Sequence, residues 1–213
     1  MPLARRMVLL QWARKKNAII MEDDYNSEFR LAGRPIEPLS NLDADGRVLY
    51  MGTFSKTLMP SLRLGFIIVP KSVRPAFIAA RLAMDHGRAL LEQEALATSI
   101  EDGDFERHVR RVRRFQRERR ERLLEATARH IGDMAVVHGA SGSLHVVLEL
   151  NGRDPCDVRA VVENAAARVV GIYDLATHFH GRPRFAGLLL GTASLDGDEI
   201  EEGIRLLGSA LRA

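Results

Sequence analysis

The sequence predicts an α/β layer followed by a smaller α+β domain. Three observations carry this expectation. Short apolar runs at 18–21, 48–51 and 64–69 read as buried strands, and a helical stretch at 2–16 precedes the first of them. A long, heavily charged helix candidate then fills 104–130. Beyond it the pattern changes to strand–strand–helix–strand–strand–helix, the order of a compact α+β unit. The boundary is expected inside or just before the long helix, giving domains 1–104 and 105–213.

In chain order, PLARRMVLLQWARKK opens with Pro2, which suits a first helical turn. Leu3, Met7 and Leu10 recur at helical spacing, and Asn17 is a natural stop. The run Ala18–Met21 reads as a strand that empties into Glu22, Asp23, Asp24 and Tyr25. Residues 26–45 read mostly as loop, punctuated by Pro35 and Pro38, and Asp45-Gly46 is a turn entering the second strand. The third strand stops at Pro70. A helix follows with Pro75 near its start, and Gly87 breaks it. Another helix spans 88–100, and EDGD at 101–104 reads as a corner.

The helix at 104–130 carries ten arginines and five acids, with Phe105, Val109, Val112, Phe115 and Leu123 as a rough apolar stripe. The reading is a solvated charged face, with Glu118, Glu121 and Glu125 pairing with arginines. A nucleic-acid-binding helix is the rival, but no recognition motif accompanies the charge. In the second half, 135–137 and 144–150 read as strands joined by a turn at 139–143. Asp154 reads as the cap of a helix at 155–168. Strands at 169–173 and 184–192 and an amphipathic helix at 196–211 complete the pattern.

Chemistry concentrates in GTFSKTLMPSLRLG, 52–65. Lys56 is expected on a loop at the C-terminal end of a strand, where ligands sit in open α/β sheets. Flanked by Thr53, Ser55 and Thr57, it suits a phosphate-contacting charge or the amine of a Schiff base. Arg63 adds a forked cation that matches phosphate. Acids at the end of a buried strand need a cation, a metal or a protonated ring. An aldehyde cofactor with a phosphate and a pyridine nitrogen uses all these groups. Lys56 would hold the aldehyde carbon, Arg63 with Thr53 or Ser55 the phosphate, Asp23 the ring nitrogen, and Tyr25 the ring hydroxyl. That cofactor is pyridoxal 5'-phosphate. Asp24 rivals Asp23, and a salt bridge from Arg63 to Glu22 or Asp24 is the structural alternative. Thr53 and Ser55 stand between phosphate contact and simple turn bonding.

IIMEDDYNSEFR (19–30), GRPIEPLSNLDADGRVLYMGTFSKTLMPSLRLGFIIVP (33–70) and LLLGTASL (188–195) resemble the aminotransferase-like domain of MocR-type regulators of the GntR family. The resemblance implies a partial fold-type I pyridoxal-phosphate-dependent transferase, with an incomplete large-domain sheet followed by a small α+β domain. It implies Lys56 as Schiff-base lysine, Asp23 at the ring nitrogen, Tyr25 at the ring oxygen and Arg63 at the phosphate. Position 26 is Asn where the family often has Asp. It also implies a preceding block with a glycine-rich phosphate turn, a stacking aromatic ring and a DNA-binding module. The chain is therefore expected to be the C-terminal part of such a domain, leaning on a homodimer partner.

Arg184 is the candidate clamp for a substrate carboxylate, with Arg182 as competitor. His178 and His180 resemble a metal pair but lack a third ligand, so no metal is expected. His138 and His145 read as surface or strand histidines. Cys156, near a helix start, is open to a lowered pKa, but nothing beside it makes a catalytic pair, and a core or half-buried thiol is expected. As the lone cysteine it excludes an internal disulfide framework and fits a reducing, cytoplasmic setting. No apolar run spans a membrane, the start is not a convincing signal peptide, and a net charge of +3 argues weakly for any polyanionic partner. Three functions follow. The first is an effector-sensing domain of a transcriptional regulator that binds an amino compound. The second is an autonomous aminotransferase acting on an amino acid and a 2-oxo acid. The third is a folded fragment with little cofactor binding.

Overall fold

The computed structural model describes residues 1–29, 37–86, 90–139, 144–191 and 194–212. Pro35, Gly87, the turn residues 140–143 and Thr192 lie outside them. The chain divides into two compact units at Arg110, within a single long helix, with Phe29 grouped with the second.

The first unit is an α/β layer. Helix α1 (Leu3–Lys16) starts after extended Pro2 and stops where Asn17 turns left-handed at φ 51°. Strands β1 (Ile20–Asp24), β2 (Val48–Thr53) and β3 (Gly65–Ile68) form one sheet in the order β1-β2-β3. β1 runs parallel to β2, with Asp23 opposite Met51 and Asp24 opposite Gly52. β3 returns antiparallel, with Thr53 opposite Gly65. A Cβ on Gly65 would lie 2.9 Å from the Gly52 carbonyl oxygen, so this crossing requires glycine.

The stretch read as loop carries a short helix α2 (Leu39–Leu42). Its first amides, Leu39 N and Ser40 N, donate to the Glu22 carboxylate at 2.8 and 3.1 Å, which places an anion at a helix N-terminus. Asp43 accepts from the Val48 amide at 2.7 Å and sets the entry to β2. Helices α3 (Arg74–Asp85) and α4 (Leu90–Glu101) follow, and the corner at 102–103 leads into α5 (Asp104–His130). Much apolar surface of this unit faces solvent. Met21 and Ile68 in the sheet, Leu82 and Met84 on α3 and Leu91 on α4 are exposed, and so are Leu3 and Met7 on one face of α1.

The second unit is an antiparallel sheet under helices. β4 (Ala135–His138), β5 (His145–Leu150), β6 (Tyr173–Asp174) and β7 (Gly187–Gly191) lie in the order β4-β5-β7-β6. Helices α6 (Val158–Ala166) and α7 (Gly197–Arg212) bury Val158, Val161, Ile200 and Leu207 with Leu148 and Leu188 in one core. Burial alternates along β5, as its sequence predicts.

Four expectations are corrected here. The strand at 169–173 is only β6, because Val169 turns left-handed at φ 63° and the Val170 amide bonds back to the Ala165 carbonyl, ending α6. The expected helix at 155–168 begins as a 3-10 turn, Pro155–Asp157, capped by Asp154 accepting from Cys156 N at 2.9 Å. Cys156 is exposed, and its thiol is pushed up, not down, by its hydrogen bond to Asp154 and that carboxylate's charge. On α5, Arg107, Arg110 and Arg114 pair with Asp104, Glu106 and Glu118, but Arg120 is buried, and burial lowers its pKa.

Candidate functional site

The sequence singles out groups that the first unit gathers at one end of its sheet. β1 and β2 are parallel, so their C-terminal ends coincide, and β3 begins at that same end. The residues between Thr53 and Gly65 form one loop there. Lys56 stands exposed on it, three residues past the end of β2. Arg63, also exposed, stands two residues before β3. It closes the 3-10 turn Pro60–Leu62 in the left-handed region at φ 51°, with its amide bonded to the Pro60 carbonyl.

The base of the loop is tied by its own hydroxyls. Thr53 Oγ1 accepts from Ser55 N at 3.2 Å and lies 3.0 Å from Ser55 Oγ. Turn bonding therefore engages both residues. The Phe54 amide donates to the Leu64 carbonyl at 3.1 Å, and Leu58 N to the Phe54 carbonyl at 2.8 Å. Thr57 is buried at 2% exposure, with Oγ1 donating to the Phe54 carbonyl at 3.2 Å. His108 of α5 bonds the Thr57 carbonyl at 2.8 Å, and Phe105 meets the Phe54 ring edge-on at 5.7 Å. Sequence reasoning missed His108. Its spacing from Phe105 marks a helix face, but no local pattern ties that face to a loop 51 residues earlier.

The acids lie within β1, not beyond its end as the sequence suggested, because the strand starts at Ile20 and ends at Asp24. Successive side chains then face opposite sides of the sheet. Asp24 accepts from Tyr50 OH at 2.8 Å and from Ser27 N at 3.1 Å. Burial, followed by the hydrogen bond to Asp24, pushes the Tyr50 phenol up to about 12. Glu22 is held by α2. Neither acid is bridged to Arg63. Asp23 is exposed and has no hydrogen-bond partner among the described residues. Tyr25, at 45% exposure, is not a core tyrosine.

Arg184 belongs to the second unit. It lies in a bend, not at a strand head, since β7 starts only at Gly187. Arg182 stands 3.7 Å from Asp154. Phe185, next to Arg184, packs on Phe179 and beside His138, whose ring is bonded to Glu149 at 2.6 Å. Among the described residues no cluster of His, Cys, Asp and Glu is placed to hold a metal, and no helix is long and apolar enough to cross a membrane.

A model of the family "Aminotransferase class I and II" matches residues 2–170. An uncharacterized HTH-type transcriptional regulator of Bacillus subtilis, YhdI, is 37% identical over 99% of this chain and 44% of its own length. The probable rhizopine catabolism regulatory protein MocR of Rhizobium meliloti is 37% identical over 100% of this chain and 43% of its own. Among solved structures, Pyrococcus horikoshii kynurenine aminotransferase, in complex with PMP, superposes with a TM-score of 0.87. The two are 27% identical, over 100% of this chain and 52% of that one. LysN, an α-aminoadipate aminotransferase of Thermus thermophilus complexed with N-(5'-phosphopyridoxyl)-L-leucine, gives 0.84 at 27% identity, over 99% and 54%. The chain spans about half the length of the relatives it matches.

Proposed function

Because this chain belongs to the class I and II aminotransferase family, with MocR-type regulators among its homologues, we propose that its first unit holds pyridoxal 5'-phosphate and serves as the effector-sensing part of a cytoplasmic transcriptional regulator. One observation carries the reading. An exposed amine, an exposed guanidinium and a carboxylate with no partner among the described residues, Lys56, Arg63 and Asp23, leave the same end of one sheet. That donor set suits an aldehyde, a phosphate and a protonated pyridine nitrogen. Two solved relatives were determined with PMP or a phosphopyridoxyl ligand bound.

In this reading Lys56 Nζ would hold the aldehyde carbon, the carbonyl oxygen leaving as water. Arg63 would contact the phosphate, and the Thr53 and Ser55 hydroxyls would turn their O–H groups from the loop to donate to its oxygens. Asp23 keeps a proton on the ring nitrogen, favouring the charged ring by proximity, and Tyr25 reaches the ring oxygen. Bound there, the cofactor supplies an electron sink for charge developing at the Cα of an amino compound. The Lys56 amine would also be the base that takes the Cα proton. Arg184 is the proposed carboxylate clamp. The exposed apolar side chains of α3 and α4 fit a homodimer contact. Contact with DNA is proposed only through an HTH-type module such as this chain's regulator relatives are named for.

The test is spectroscopic. Added pyridoxal phosphate should give a visible absorbance band that Lys56→Ala abolishes, and borohydride should bleach that band while fixing the cofactor to Lys56. No band in the wild type would overturn cofactor binding by this chain. Turnover of an amino acid with 2-oxoglutarate would favour the autonomous enzyme over the sensor.

A further inference from the structure

We propose that His108 is a positioning residue for the Lys56 amine, an inference that rests on the role given to Lys56 above. His108 sits in the second turn of α5, and its Nε2 lies 2.8 Å from the carbonyl oxygen of Thr57. A carbonyl only accepts, so the ring carries its proton on Nε2 and donates. Thr57 follows Lys56 directly in the chain and is buried. One turn earlier on the same helix face, Phe105 meets Phe54 edge-on at 5.7 Å. The helix therefore grips the loop on both sides of the lysine, at Phe54 two residues before it and at Thr57 one residue after. Just past the second grip, Leu58 N bonds back to the Phe54 carbonyl and closes the turn.

The physical consequence is preorganisation. A lysine stem has four rotatable bonds, and fixing its amine on a carbon costs conformational entropy. A backbone already held at both flanks removes the main-chain share of that cost. His108 touches neither the aldehyde nor any reacting atom. It acts through the Thr57 carbonyl.

Hydrogen exchange at the Leu58 amide tests this without any cofactor. His108→Phe keeps a flat ring but lacks the donor. It should raise Leu58 exchange about tenfold, the scale of one lost hydrogen bond, while Leu148 in β5 stays protected. His108→Gln, whose amide reaches the same place, should return exchange to within about twofold of wild type. The apparent affinity for pyridoxal phosphate should fall and recover in the same order. If His108→Phe does not fold, His108→Asn takes its place, since its amide falls short of the carbonyl. Wild-type exchange in the donor-lacking variant, or no rescue by His108→Gln, would overturn the proposal. A wild-type chain that takes up no pyridoxal phosphate sinks the cofactor reading instead, and the exchange data still decide whether His108 holds the loop.

Discussion

The Tyr50 hydroxyl donates to the Asp24 carboxylate at 2.8 Å across the parallel β1–β2 pair. This bond holds one of two adjacent acids in the sheet, while the carboxylate of its neighbour Asp23 has no partner among the described residues. Tyr50→Phe removes the donor and should cost about 1 kcal/mol of stability near neutral pH, read from the urea midpoint. The alkaline limb should change as well. In the fold the phenol holds its proton up to about 12, against an ordinary 10.0. Between those values the unfolded chain has lost the proton and the folded chain keeps it. The contribution is therefore complete below pH 10 and is lost as pH rises toward 12. Tyr50→Phe should flatten that loss. An unchanged slope would show that Tyr50 is not its source.

Asp23 and Asp24 should separate function from stability. Asp23→Asn leaves the unfolding midpoint unchanged and weakens pyridoxal phosphate uptake about tenfold or more, because the ring nitrogen loses its anion. Asp24→Asn should do the reverse, loosening the bonds to Tyr50 and Ser27. Equal effects of both on uptake would contradict the assignment.

Arg63 occupies the left-handed region, which costs an L-residue about 1–2 kcal/mol. Arg63→Gly relieves that strain while deleting the guanidinium. Thermal stability should hold or rise, and affinity for the phosphate-bearing cofactor should fall. Calorimetry and a titration on the same sample separate the two. A stability loss would mean that the side chain supports the fold.

Glu201 accepts from His130 and from Arg129, each at 2.6 Å. The His130 bond, before the charge of Arg129, lowers its pKa. A depressed carboxylate stabilises above its unfolded pKa, and the contribution is lost as pH falls through the folded value. Glu201→Gln should therefore lower the melting temperature at neutral pH and reduce its further fall in acid. Parallel melting curves for the two proteins across the acid range would argue against it.

Most elements were legible in the sequence because their signals are local. Apolar runs, the stops at Asn17 and Pro70, and the long charged period of 104–130 act over a few residues, and the observed elements follow them. Lys56, Arg63, Asp23, Tyr25, Thr53 and Ser55 were legible as candidates by residue type, spacing and resemblance. Only the tertiary structure decided which groups are already engaged. Glu22 is taken by α2, Asp24 by Tyr50, and the Thr57 carbonyl by His108. Those choices depend on strand register and on a helix docking far along the chain, and hydrogen bonds between distant segments leave no periodic trace in the residues that make them. The same holds where expectation failed. Val169 ends α6 in a left-handed turn, and β7 starts after Arg184, because backbone pairing in the folded unit outweighed local strand propensity.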